Sequence, residues 1–143
     1  MPSPSPELLA RVPLFADLEK KELERLAKSF RERTFKPGSP IATAGTGGVG
    51  FFVISEGEAT VSVGGREVAK LKSGDHFGEV ALIDENHSRS ADVTAESNLV
   101  TYGLTAWEFK PIVESSPSIA WKLLQSLAAK LRDAEARAGA SYS

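Results

Sequence analysis

The sequence predicts a mainly β domain with flanking helices, a double-stranded β-helix or jelly-roll barrel. Three observations predict it. Turn residues recur densely from Arg31 to Leu104. The short segments between them are rich in Val, Ile, Phe and Thr and alternate apolar with polar, the period of a strand with one face buried. At both ends the apolar period changes to that of a helix. A length of 143 residues suits one domain, and a chain of this size buries roughly 68–70% of its unfolded surface, enough for a core without staples.

Ser5-Pro6-Glu7 reads as an N-cap followed by proline at the first helical position, opening a short helix that runs to about Val12. Asp17 is positioned to cap a second helix, in which Leu23, Leu26, Ala27 and Phe30 recur at i, i+3, i+4, i+7 and form one apolar stripe. Then come the turns: Pro37-Gly38, the run Gly45–Gly50, Glu56-Gly57, Gly64-Gly65, Ser73-Gly74 and Glu85-Asn86. Among the strands, Ala59, Val61 and Val63 alternate with Glu58, Thr60 and Ser62, and Ala91, Val93 and Ala95 alternate with Ser90, Asp92 and Thr94. Thr105-Ala106-Trp107-Glu108 is a capping box that restores helix. Pro111 falls inside that pattern, where it kinks or shortens the helix. Pro117 opens the longest helix, 117–138, and Gly139 stops it. The domain therefore spans 6–138, with tails at 1–5 and 139–143. Trp107 and Trp121 read as packing residues.

Composition excludes several classes. With 0 Cys, disulfide and iron–sulfur chemistry are out. A net charge of −2, with no block of like charges, argues against a surface built for nucleic acid or anionic lipid. No basic segment followed by an apolar run opens the chain, and no stretch is long enough to cross a bilayer, so a cytoplasmic location is expected. Without secretion, the glycosylation triplet Asn86-His87-Ser88 is accidental.

Two motifs tempt and fail. Gly45-Thr-Gly47-Gly-Val-Gly50 spells GxGxxG, but a dinucleotide site needs a helix after it to hold the pyrophosphate, and Phe51-Phe52-Val53-Ile54 is a strand pattern. His76, Glu79 and His87 would make a two-His-one-carboxylate iron site on paper, as in a cupin-like metal enzyme. His76 and Glu79 are three apart, which on one strand sends them to opposite faces. Neither a metal nor any other cofactor is expected, and no Ser or Thr stands beside a visible base, so no catalytic residue is assigned.

The informative stretch is Gly74 to Ala91. Gly78 opens a helical segment whose first N–H groups are unpaired and attract an anion, and its lack of a Cβ permits close approach. Arg89 shares the odd parity of Ala91, Val93 and Ala95, so it points inward with them. An inward guanidinium needs a partner, and phosphate matches its planar fork. Glu79, in the first turn, accepts hydrogen bonds from sugar hydroxyls. Together these describe a pocket for a sugar phosphate. A Glu79–Arg89 ion pair that merely closes the barrel fits the ten-residue spacing equally well.

Phe77-Gly78-Glu79-Val80-Ala81-Leu82 followed by Arg89-Ser90-Ala91 closely resembles the phosphate-binding cassette of cyclic nucleotide-binding domains. Gly57 and Gly74 match that family's turn glycines, the terminal helices match in order, and Arg-Ser-Ala is similar to the sensor domain of bacterial catabolite activator proteins. The resemblance covers nearly the whole chain. It implies that Arg89 grips the cyclic phosphate, Glu79 accepts from the ribose 2′-hydroxyl, and backbone amides near Gly78, Val80 and Ala81 complete the cradle. It also implies that Ser90 adds a hydroxyl to the phosphate or base edge, and that Val61 and Leu71 are walls for the base, at least one of them being plain core. Two departures stand out. Ser88 replaces a proline that many members carry, and Ala134-Glu135 stand where the catabolite activators place a Thr-Ser pair that reads adenine.

The resulting expectation is a regulatory sensor that catalyses nothing and binds cyclic AMP, with cyclic GMP not separated from it, and that transmits binding through its C-terminal helices. The alternative from another class is a degenerate, ligand-free domain used for protein contacts. Ala120, Leu124, Leu127, Leu131, Ala134 and Ala138 are spaced as a heptad seam, which predicts a homodimer through helix 117–138. Neither nucleic acid nor membrane is expected as a partner. No helix-turn-helix follows Ala138, so the downstream partner is not read from this sequence.

Overall fold

The computed structural model describes residues 3–42, 50–78, 82–84 and 91–139. Its order is α1 (Pro6–Ala10), a 3-10 turn (Pro13–Phe15), α2 (Lys20–Ala27), β1 (Arg31–Phe35), β2 (Pro40–Ala42), β3 (Gly50–Glu56), β4 (Ala59–Val63), β5 (Arg66–Leu71), β6 (His76–Phe77), β7 (Asp92–Ala95), β8 (Leu99–Thr105), α3 (Ala106–Ser115) and α4 (Pro117–Arg137).

The helix starts follow the sequence closely. Ser5 caps α1, its Oγ accepting from Leu8 N at 3.1 Å, with Pro6 in the first turn. The helix stops at Ala10 rather than Val12, because Pro13 opens a separate 3-10 turn. Asp17 does not cap α2. Glu19 is the N-cap, and its partner in the capping box is Glu22, whose Oε1 accepts from Glu19 N at 2.8 Å. The box at Thr105 and Glu108 is present, and α3 runs on through Pro111 to Ser115. Ser116 caps α4, and Gly139 lies just beyond its C-cap, Ala138.

The strands form two antiparallel four-stranded sheets, ordered β1-β8-β3-β6 and β2-β7-β4-β5. In β7 the alternation holds, with Val93 and Ala95 buried and Asp92 and Thr94 half-buried. In β4 it breaks: Thr60 is buried and Val63 exposed. The register shifts between Val61 and Ser62, and β4 reaches its hairpin turn at Gly64-Gly65 just after Val63. The extra residue at that shift is Val68 on β5, so β4 keeps its own phase and Val63 is exposed where the strand ends.

Two cores lie on opposite faces of the β3–β8 sheet. Phe51, Val53 and Leu104 face the helices, where they join Leu9, Phe15, Leu26, Phe30, Phe109, Ile119 and Leu123. Phe51 is the centre of that packing. Its ring meets Phe15 edge-on at 5.7 Å and Phe30 at 6.1 Å, arrangements that aromatic quadrupoles favour. The opposite face sends Ile54 and Leu99 toward the second sheet, where they pack with Ala59, Val93 and Ala95. Helices, first sheet and second sheet are thus three layers.

Trp107 and Trp121 are not packing residues. They are 68% and 63% exposed. Leu124 and Leu131 of α4 are exposed as well, whereas Leu127 packs against the helical core. Among the described residues, no helix is long and apolar enough to cross a membrane.

Candidate functional site

The route into the phosphate cassette is tightly seated. The turn before β6 is closed by Asp75 N donating to Lys72 O at 2.9 Å and Lys72 N donating to Asp75 Oδ2 at 2.9 Å. Two backbone bonds tie it to β3: Gly74 N to Ile54 O at 2.9 Å and Ile54 N to Asp75 O at 2.8 Å. The Arg11 guanidinium covers Gly74, so that a β-carbon there would lie 2.6 Å from Arg11 Cζ. From this platform β6 delivers the chain to Gly78, whose φ is +86°. That left-handed conformation strains an L side chain and is open to glycine. Sequence reasoning assigned Gly78 for its missing Cβ. The positive φ at Gly78 is a second, independent requirement for it.

Glu79, Val80, Ala81, Arg89 and Ser90 lie outside the described residues. Val61 and Leu71 are both half-buried and pack against the inter-sheet core from adjacent strands. Their pairing register is Ala59 with Leu71 and Val61 with Ala69, so Val61 and Leu71 are diagonal neighbours on one face. Val61 also stands opposite Val93 of β7. Val93 and Ala95 of β7 point inward as the alternation predicts, while Arg89 itself lies outside the described residues.

Sequence reasoning missed an aromatic row on the inter-sheet side. Phe52 stacks on Phe77 at 5.3 Å, 23° from parallel, and meets Phe35 edge-on at 6.3 Å. Phe77 immediately precedes Gly78. The signal was the phase of β3: with Phe51 and Val53 facing the helices, Phe52 and Ile54 must face the other way.

Within the cassette, Leu82 is buried in the helical core. With Ile83, Phe109 and Val113 it lines a groove of about 430 Å³ between residues 82–84 and α3. The cassette therefore touches the helical layer at Leu82.

Displaced pKa values occur at the edges of that layer. Burial pushes the Glu22 carboxyl up, but hydrogen bonds from Lys122, the Glu19 backbone and Ser118 outweigh it, and the group is held below its ordinary value. At Glu108 burial again opposes, and hydrogen bonds from Thr105 and Arg31 prevail in the same direction. His76 packs its ring 5.7 Å from Phe51. Among the described residues, no three metal-ligating side chains are gathered. Glu79 and His87, which the alternative iron site needs, lie outside the described residues.

Comparison with known proteins decides the family. The model for the cyclic nucleotide-binding domain matches residues 32–116, more than half of the chain. The chain belongs to that family. Cyclic nucleotide-binding domains are regulatory rather than catalytic modules. This one is 40% identical over 93 residues to a cAMP-dependent protein kinase regulatory subunit of Yarrowia lipolytica, covering 64% of this chain and 24% of that protein. It is 39% identical over 90 residues to a cGMP-dependent protein kinase of Toxoplasma gondii, covering 63% and 9%. The chain thus spans less than a quarter of the length of either relative. Among solved structures, the N-terminal domain of a transcriptional regulator from Streptomyces coelicolor superposes with a TM-score of 0.83 at 28% identity, covering 95% of this chain and 99% of that one. A catabolite activator protein from Thermus thermophilus gives 0.71 at 29%, covering 89% and 62%.

Proposed function

We propose that this cyclic nucleotide-binding domain is a cyclic AMP sensor, with cyclic GMP as the competing ligand, and that it needs no cofactor and catalyses nothing. Arg89 and the amides of Gly78, Val80 and Ala81 hold the cyclic phosphate, Glu79 holds the ribose 2′-hydroxyl, Ser90 adds a hydroxyl, and Val61 with Leu71 wall the base. The observation that carries this reading is the family match, which spans every one of these residues. The half-buried diagonal pair Val61 and Leu71 supports it with an apolar face of the right kind for a base.

The same reading includes a jelly-roll closure of the two sheets, a domain spanning 6–138, a cytoplasmic setting, and partners that are neither nucleic acid nor membrane. Transmission runs through α4 as a shift between two packings, biased by contacts the ligand makes in one of them. The exposed Trp121, Leu124 and Leu131 support a homodimer through this helix.

Calorimetric titration of the purified chain with cyclic AMP and cyclic GMP tests the reading. Saturable binding of cyclic AMP with one site per chain is expected. No heat from either nucleotide at millimolar concentration overturns it and leaves a domain for protein contacts, which the exposed tryptophans would then serve.

A further inference from the structure

The contact between α2 and the junction of α3 with α4 joins residues about a hundred positions apart. Lys122 Nζ donates to Glu22 Oε1 at 2.8 Å and lies 3.9 Å from Glu19 Oε1. Glu22 also takes a hydrogen bond from Ser118. One turn further along α2, Arg25 Nη2 donates to Ser115 Oγ. Glu19 and Glu22, and Glu22 and Arg25, are each three apart and so neighbour one another in turn on the helix surface. That surface holds Ser115, Ser118 and Lys122, the end of α3 and the first turns of α4.

The Lys122–Glu22 pair is sheltered, with side chains 22% and 14% exposed. Glu22 Oε1 is used twice, because it also accepts from Glu19 N as half of the α2 capping box. The capping box of α2 and its contact with α4 therefore share one oxygen atom. Beyond this point α4 changes character. Ile119, Leu123 and Ser126 are buried, but from Leu131 to Gly139 only Glu135 is even half-buried. The second half of α4 thus leaves the domain with little of its surface covered.

We propose that α2 is a latch on the α3–α4 elbow: Glu22 and Arg25, by gripping Ser115, Ser118 and Lys122, fix the angle at which the free half of α4 leaves the domain. The latch is a property of the folded domain alone, and only its use in signalling rests on the sensor reading above.

The test needs no nucleotide, so failure of the sensor reading leaves its result standing. The sequence has 0 Cys, so cysteines introduced at the exposed Lys70 of β5 and the exposed Arg137 of α4 carry spin labels uniquely. Lys122→Met keeps the aliphatic stem and removes the charge. Glu22→Gln removes the charge and keeps an acceptor for Glu19 N–H, so α2 remains capped. Both should broaden the label-to-label distance distribution. Both should also raise amide exchange across 117–127 by about 1.5- to 5-fold, the range for a partly exposed ion pair, while exchange in β3 and β8 stays as in the wild type. Arg132→Met, an exposed change on the same helix, should do neither. Unchanged distances and exchange in both latch variants overturn the proposal. So does an equal rise in β3 and β8, which would mean general destabilisation.

Discussion

Gly57 and Asn98 meet so closely that Gly57 has no room for a side chain. A β-carbon there would collide with the Asn98 carbonyl oxygen and lie 3.1 Å from Leu99 Cα, and Gly57 holds φ at +96°. The two turns are also interlocked by Glu58 N donating to Ser97 Oγ at 3.0 Å and Glu96 N donating to Glu58 O at 2.9 Å. Backbone strain and collision act together in Gly57→Ala, which is expected to cost about 2–4 kcal/mol. Chemical denaturation with the slope held in common measures it, and a midpoint equal to the wild type's would contradict the geometry.

A second prediction concerns the phosphate. If Arg89 holds the cyclic phosphate as proposed, Arg89→Ala removes one member of a desolvated charge pair and is expected to lower cyclic AMP affinity by about 30- to 5000-fold. Arg89→Lys should also be damaging, because a point charge cannot reproduce the guanidinium fork. Glu79→Ala should lose less, since its partners are neutral hydroxyls. Calorimetry on folded variants decides it, and a folded Arg89→Ala that binds as tightly as wild type removes Arg89 from the site.

Low pH should loosen the helical layer. Glu22 and Glu108 both titrate below their ordinary value of 4.5 in the folded domain. A depressed folded-state pKa contributes stability that is present above the unfolded value and lost as pH falls through the folded one. Melting temperature should therefore decline below pH 4.5, and less steeply in Glu22→Gln and Glu108→Gln. Parallel wild-type and variant profiles through that window would count against these assignments.

For the homodimer, exposure leaves Leu124 and Leu131 of the predicted seam, since Leu127 is engaged with the helical core, and adds the exposed Trp121 beside them. Light scattering at tens of micromolar should give a dimer for wild type and a monomer for Leu131→Glu. A wild-type monomer with and without nucleotide ends the idea.

What could be read from the sequence was local. Ser5 and Thr105 announce their helices because their side chains bond backbone N–H groups within three residues. Glu19 escaped notice because Glu is an unusual N-cap, and the nearby Asp17 fits the rule better. The exposure of Trp107 and Trp121 was unreadable, since residue type gives a preference for burial and not the face a helix presents. The Lys122–Glu22 pair was equally invisible, its partners being joined only by tertiary packing. In the site, the parity argument for β7 held at Val93 and Ala95, where one face of the strand packs inward. The same argument failed at Val63, which ends β4 beside its hairpin turn.

The division of the interior by the β3–β8 sheet bears on how such a domain can evolve. Ile54, Ala59, Val93, Ala95 and Leu99 form one compartment, and Phe51 with the helical residues forms another. Substitutions that reshape the first leave the contacts of the second in place. Under the proposed reading, a lineage could therefore reshape the apolar wall at Val61 and Leu71 while the helical packing around Phe51 stays as it is.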